Sequence, residues 1–317
     1  VNQLCAILKV LKPGLQTSVQ DLGRYGYQQY GISTSGAMDS YSMHAANILV
    51  GNAAGEAVLE AAMIGPELEA LCDVAVAICG GDFSPKVDGE EVALWKSFLL
   101  RKGQVLTIGT CQQGARALIA IGGGIDVPFV LGSKSTFLNG KLGGYEGRAL
   151  SKGDVLKGRP VIRKPFKKLR PDLVPSYSKE ITVRVILGPQ EGRFTEQSIQ
   201  RFFSEEFIVT PQSNRMGYQL KGPKLEHIGG PDIISDPIPL GGIQVPASGQ
   251  PIILLADRQT TGGYTRIGTV ISVDIARLAQ AVTGTIIHFS MVSVEEAQQL
   301  YVERQRLLKH LQLGAAK

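Results

Sequence analysis

Asp257, Arg258, Gln259, Thr260 and Thr261 stand in unbroken succession, with Gly262, Gly263 and Tyr264 behind them, directly after the apolar run 252–255. Charged side chains at the end of an apolar strand start from a fixed backbone. Arg258 offers a planar fork that matches a carboxylate or phosphate, and Asp257 can orient it or act as a base. Two adjacent glycines let backbone N–H groups approach an anion. On this reading Asp257 and Arg258 are candidate catalytic residues. Gln259, Thr260, Thr261, Gly262, Gly263 and Tyr264 are candidate substrate contacts. The same residues also suit a well-bonded β-turn in which Asp and Thr cap local backbone groups, and the sequence leaves both readings open.

Three further clusters carry suitable chemistry. Arg215 lies in the stretch 213–218, where it is a candidate anion ligand and catalytic residue, and Asn214 beside it is expected in a left-handed turn facing substrate. Gln244, in Gly-Ile-Gln-Val-Pro, is expected to project into a site. Arg24 lies near Asp21 and Asp39 in sequence, and is either a substrate contact or half of a structural ion pair.

What is missing narrows the chemistry. The segment 132–136, GSKST, carries the tail of a phosphate-binding loop without its first glycine turn, so it is not read as a nucleotide motif. There is no G-x-S-x-G elbow and no Cys/His nucleophile pairing. The four histidines form no HxxxH or HxH pair, so no metal site is expected. The four cysteines show no CxxC spacing and read as reduced thiols. A net charge of +5 is too small to argue for nucleic acid. No apolar run approaches the ~18 residues of a membrane span, and the first residues lack the layout of a secretion signal. A soluble, cytoplasmic protein is expected.

The elements that position these residues read as mainly β. Short apolar runs at 74–79, 105–108, 117–121, 181–187, 207–210, 252–256, 269–273 and 286–289 are bounded by Gly, Pro or Asp, the pattern of a sandwich or barrel. Helices are few. Asp39 is the expected N-cap of a helix carrying Met43, Ala46 and Val50 and ending at Gly51; Thr195 caps one presenting Ile199, Phe202 and Phe203. Ser293 and Glu296 form a capping box before an amphipathic C-terminal helix. The basic, proline-rich stretch 161–178 reads as an extended linker between a domain at 1–160 and another at 179–317. Two internal echoes suggest duplication: LRKGQVL (100–106) against LSKGDVL (150–156), and Asp21…Tyr27…Asp39…Gly51 against Asp257…Tyr264…Asp274…Gly284.

Taken in order, the blocks VLKPGLQTSVQDLGRYGYQQYGISTSGAMD, IGGGIDVPFVLGSKST, LGGYEGRALSKGD, VILGPQ, SNRMGYQLKGP and GGIQVPASGQPIILLADRQTTGGYTRIGTVI resemble one family nearly end to end. It goes by three names: the 5-oxoprolinase C subunits, allophanate hydrolase subunit 2, and the Kip-type antagonists of a sporulation kinase inhibitor. The chain is also similar to the second half of the carboxyltransferase region of urea carboxylase, without a biotinyl-lysine A-M-K-M motif or an ATP-grasp segment. The resemblance implies two cyclophilin-like β-barrel domains with a few short helices. It implies a protein that acts with B and A subunits to open 5-oxoproline to L-glutamate, with ATP as cofactor, shared with the partner. Two alternatives follow from the same resemblance: the carboxyltransferase component of a biotin-dependent urea or amide carboxylase, and a non-catalytic antagonist that binds a kinase-inhibitor protein.

Overall fold

The structure is a computed structural model and describes residues 3–315; the outermost residues of the two expected domains, 1–2 and 316–317, lie outside the described residues. The chain is mainly β. It divides into two compact units, one formed by Val1–Tyr25, Ser35–Tyr177 and Arg306–Lys317, the other by Gly26–Thr34 and Ser178–Gln305.

In the first unit a six-stranded sheet runs in the order Val155–Gly158, Cys5–Lys12, Glu67–Ala70, Val105–Thr107, Lys86–Val87, Glu90–Glu91. A five-stranded sheet has the order Gln16–Gln20, Val58–Ala62, Gln113–Ile121, Val74–Asp82, Ser97–Leu100. Both draw on one core, in which Ile7, Leu59, Leu68, Ile78, Leu106 and Ile119 are fully buried. Helix α1 (Ser40–Val50) lies against the strands Val74–Asp82 and Gln113–Ile121. Its ends follow the sequence expectation: the Asp39 carboxylate accepts from the Ser42 N–H, and Gly51 closes the helix at φ 78°.

The echo LRKGQVL/LSKGDVL is a repeated turn. Gly103 and Gly153 both adopt positive φ, at 85° and 93°. Gln104 N–H donates to the Arg101 carbonyl and Asp154 N–H to that of Ser151. In return, the Gln104 and Asp154 side chains accept from the Arg101 and Ser151 N–H groups. Each turn launches a strand, Val105–Thr107 or Val155–Gly158.

The basic stretch after residue 160 is extended but not free in solvent. Ser97 N–H donates to the Lys167 carbonyl, Leu169 N–H donates to that of Trp95, and Leu169 is buried. The segment is therefore laced to the first unit by its backbone.

The second unit is built on a closed seven-stranded barrel. Its strands run Glu180–Leu187, Arg266–Val270, Gly242–Gln244, Ile252–Leu254, Gly217–Lys221, Phe207–Val209 and Ile286–Met291, and closure comes from a parallel pairing of the last with the first. Helix α2 (Glu196–Ser204), capped by the Thr195 hydroxyl, buries Phe202, which stacks on Phe289 at 4.3 Å and lies 6.0 Å from Phe207. The second echo holds only in part: Asp274 precedes a helix α3 of just four residues, Ile275–Leu278. Its carboxylate is engaged by Arg184 through both oxygens rather than by the helix N–H groups. Helix α4 (Val294–Ala315) begins at the expected capping box, with Glu296 N–H donating to Ser293 Oγ. Ala297 and Leu300 pack on Ile271, Val273 and Val292, whereas Tyr301 is exposed.

Candidate functional site

The strand Ile252–Leu254 leads directly to Asp257 and Arg258, but does not bring them to the surface. Both are more than nine-tenths buried. Asp257 does not orient Arg258. It is taken by Arg215, whose Nε and Nη2 donate to the two carboxylate oxygens at 2.8 and 3.1 Å. The two backbones are tied as well, since Asp257 N–H donates to the Arg215 carbonyl. Arg258 instead donates from Nε to the Ile238 carbonyl at 3.0 Å and from Nη1 to the Leu255 carbonyl and Thr34 Oγ1, both at 3.2 Å. Thr34 and Ser33 in turn donate their hydroxyls to the Ala256 carbonyl. The expectation of an exposed Arg258 presenting its fork to an anion is thus corrected: its fork is directed at backbone and hydroxyl acceptors inside the unit.

Gly262 and Gly263 are likewise not an anion-binding turn. Neither has positive φ. Thr261–Tyr264 is a strand, paired antiparallel with Asp232–Pro237 in a two-stranded ribbon. The need for glycine at 262 is spatial: a Cβ there would meet Gln244 Nε2 at 2.5 Å and Ile238 Cδ1 at 2.7 Å. Gln244 is buried and donates to the Tyr264 carbonyl. Gln259 and Thr261 are exposed, Thr260 half-buried, and Tyr264 42% exposed. Asn214 is not left-handed; its side-chain oxygen accepts from Met216 N–H in a local turn.

Arg24 belongs to the other unit. It is fully buried and donates to the Val130 and Ser135 carbonyls. Asp21, one of the two acids that could have paired with it, is satisfied by the Ser133 and Ser135 hydroxyls and the Lys134 and Gly23 N–H groups. These contacts also explain the GSKST segment, whose polar groups wrap a carboxylate rather than a phosphate.

An open concave surface of the second unit lies on the ribbon. A cleft of about 690 Å³ is lined by Gln190, Arg193, Asp232, Ile233, Ser235 and Asp236, together with Ile234. Arg193 donates weakly to the Gly230 and Asp232 carbonyls, and its buried Nε has no partner among the described residues. Asp236 is ion-paired with Arg266, whose N–H donates to Gln190 Oε1. The His227 ring lies 4.8 Å from that of Phe194, tilted by 40°, and burial, assisted by Arg193, pushes its pKa down, favouring a neutral ring. Sequence reasoning missed Gln190, Arg193, Asp236 and Arg266. Their signal was present only indirectly: Gln190 ends the block VILGPQ, and the ribbon's partner strand is the TTGGY segment itself.

This arrangement mixes hydrogen-bond donors and acceptors around a small volume. The Arg193 guanidinium can meet a carbonyl or carboxylate, while Asp232 and the Ser235 hydroxyl can accept an amide N–H. The buried residues 215, 257 and 258 form the support behind the ribbon, since Ile238, which accepts from Arg258, directly follows its strand Asp232–Pro237 and is tied to Thr260. Among the described residues no group of three or more His, Cys, Asp or Glu is placed to hold a metal ion.

The model of the carboxyltransferase domain, subdomain A and B, matches residues 30–291. The C subunit of Escherichia coli 5-oxoprolinase is 38% identical over 96% of this chain and 97% of its own length. Urea amidolyase of Saccharomyces cerevisiae is 35% identical over 96% of this chain, which spans only 18% of that protein. The crystal structure of the Kluyveromyces lactis urea amidolyase superposes with a TM-score of 0.92 at 32% identity, covering 98% of this chain and 20% of the larger one. With its sheets and closed barrel matched nearly end to end, the chain belongs to the carboxyltransferase domain family, subdomain A and B, in company with the C subunits of 5-oxoprolinase.

Proposed function

We propose that this chain is the C subunit of an ATP-dependent 5-oxoprolinase, acting in the cytoplasm with B and A subunits to open 5-oxoproline to L-glutamate. The observation that supports this most is the correspondence with the E. coli C subunit, 38% identical over 96% of this chain and 97% of that one. On this reading the cleft along the ribbon holds the lactam. The Arg193 guanidinium meets its carboxylate or ring carbonyl, Asp232 accepts from the lactam N–H, and Gln190 with the Arg266–Asp236 pair fixes the wall. A five-membered lactam resists direct attack by water, and ATP, when bound, would supply a phosphoryl group that converts the carbonyl oxygen into a leaving group. The described residues do not by themselves suit a triphosphate. Arg193 is the single cation among the residues lining the cleft, and the GSKST segment is consumed by Asp21. The nucleotide is therefore assigned to the partner proteins or to a site they complete.

The test is reconstitution. Purified A and B subunits and this chain, assayed for glutamate from 5-oxoproline and ATP, should lose activity when any one is omitted; this chain alone should form none. Arg193→Ala should raise KM for 5-oxoproline by about tenfold, the worth of one charge-assisted bond. Full activity without this chain would overturn the proposal. A second reading, a carboxyltransferase component of a biotin-dependent amide carboxylase, is favoured by the close superposition on urea amidolyase. Carboxyl transfer from free biotin carboxylate to urea in the same mixture would select it.

A further inference from the structure

We propose that the first unit carries a separate binding site for a small organic anion with an apolar body, in the cleft between residues 126–130, the glycine-rich loop 141–147 and the strand Val155–Gly158. The cleft has a volume of about 470 Å³, within the ~300–1,000 Å³ of small-molecule sites. Val127, Val130, Leu142 and Val155 give it an apolar floor, and Tyr145 adds an aromatic wall. Lys141 and Lys157 stand on its rim, exposed, and make no ion pair among the described residues. The two lining acids are Asp126 and Glu146, and Glu146 shares Arg148 with Asp154, at 2.7 Å to each. A carboxylate seated on the apolar floor can take a charge-assisted bond from a rim ammonium, which a neutral isostere cannot match.

The cleft is held open from behind. Gly143, Gly144 and Gly147 all have positive φ. A Cβ on them would lie 2.3 Å from the Ser135 carbonyl oxygen, 1.8 Å from Thr136 Oγ1 and 2.2 Å from the Lys141 carbonyl oxygen. At 143 and 144 the loop therefore sits directly on Ser135 and Thr136 with no side chain between. Buried Arg24 fastens the two walls, with Nε donating to the Val130 carbonyl at 2.9 Å and Nη2 to that of Ser135 at 2.8 Å. Asp21 fixes the same segment through Ser133, Lys134 and Ser135. A solvated turn would not need anchors of this kind. Here they preorganise a concave face, which lowers the entropy cost of binding. Arg24 is thus a positioning residue for this cleft.

The experiment uses the full chain and three probes: benzoate, its neutral isostere benzamide, and inorganic phosphate. Binding is followed by calorimetry and by backbone amide shifts. Benzoate should bind saturably at millimolar concentration or better, with shifts concentrated at Gly143, Gly144, Tyr145 and Gly147. Lys141→Gln/Lys157→Gln should weaken it by about tenfold or more while leaving the melting temperature unchanged, because both side chains are exposed. Benzamide should bind at least about tenfold more weakly. Absence of saturable benzoate binding, equal binding of benzamide, or indifference to the double substitution would each overturn the proposal. Tighter binding of phosphate than of benzoate would overturn the part that requires an apolar body. Val155→Phe, which fills the floor without touching charge, separates the cleft from the lysines: if benzoate binding survives it unchanged, the site is not this cleft.

Discussion

Arg215 and Asp257 show what burial does to a residue that looks catalytic in sequence. Each is nearly inaccessible, and the two are joined by two bonds between their side chains. Removing one partner strands a charge in a poorly solvated place, so Arg215→Ala should destabilise the second unit by about 3–5 kcal/mol, whereas Arg215→Met/Asp257→Leu should recover much of that loss. Urea unfolding of the two single and the double variants measures both. A loss for the double variant equal to the sum of the singles would show that the pair is not a unit. Arg258→Lys should likewise cost about 1–3 kcal/mol, since an ammonium cannot reach the Ile238 and Leu255 carbonyls and Thr34 together. A lowered midpoint with unchanged turnover per folded complex is expected. The type of side chain was legible from sequence; its depth was not, because burial of Arg258 depends on Thr34, distant in the chain by more than two hundred residues.

Helix α1 illustrates the element scale. His44 is the imidazole of Ser40–Val50; its Nδ1 is buried without a hydrogen bond, and burial lowers its pKa to about 4. Because the folded value is depressed below the ordinary 6.5, the unfolded chain binds the proton first. His44 therefore takes nothing from stability above pH 6.5, and stability falls as pH drops from there toward 4. At pH 5 the loss relative to pH 7 should be about 2 kcal/mol. His44→Gln should remove that component of the pH dependence, which unfolding at the two pH values will report; an unchanged slope would mean that the imidazole is not titrating across this window. Elements of this kind were readable in advance. The Asp39 and Thr195 caps, the Gly51 stop, the Ser293 box and the paired Lys-Gly turns each lie within a few residues of what they bond. The ribbon was not readable. Thr261–Tyr264 looks like a glycine turn until its partner Asp232–Pro237 arrives, and nothing local announces that pairing. The same holds for the cleft on Arg193, whose walls come from separate stretches of chain.

For the whole molecule, the division into units does not follow the order of the sequence. The segment Gly26–Thr34 belongs to the unit that otherwise begins at Ser178. Ser33 and Thr34 supply hydroxyls to the Ala256 carbonyl, and Thr34 accepts from Arg258. Ser33→Ala/Thr34→Val should lower the stability of the second unit by about 1–3 kcal/mol, with faster hydrogen exchange at Asp257 and Arg258 as its local signature. A fragment starting at Ser178 should be less cooperative still, and a fragment as stable as the intact chain would show that the early segment is dispensable. The arrangement also has a consequence for biosynthesis. Thr34 and Ala256 are 222 residues apart, and at ~5–20 residues per second a ribosome needs roughly ten to forty-five seconds to travel between them. Throughout that interval the nascent chain trails an undocked excursion, Gly26–Thr34, while strands on either side of it are already free to join the first unit. Until then, the segment that completes the later half lacks the partners it bonds in the folded chain.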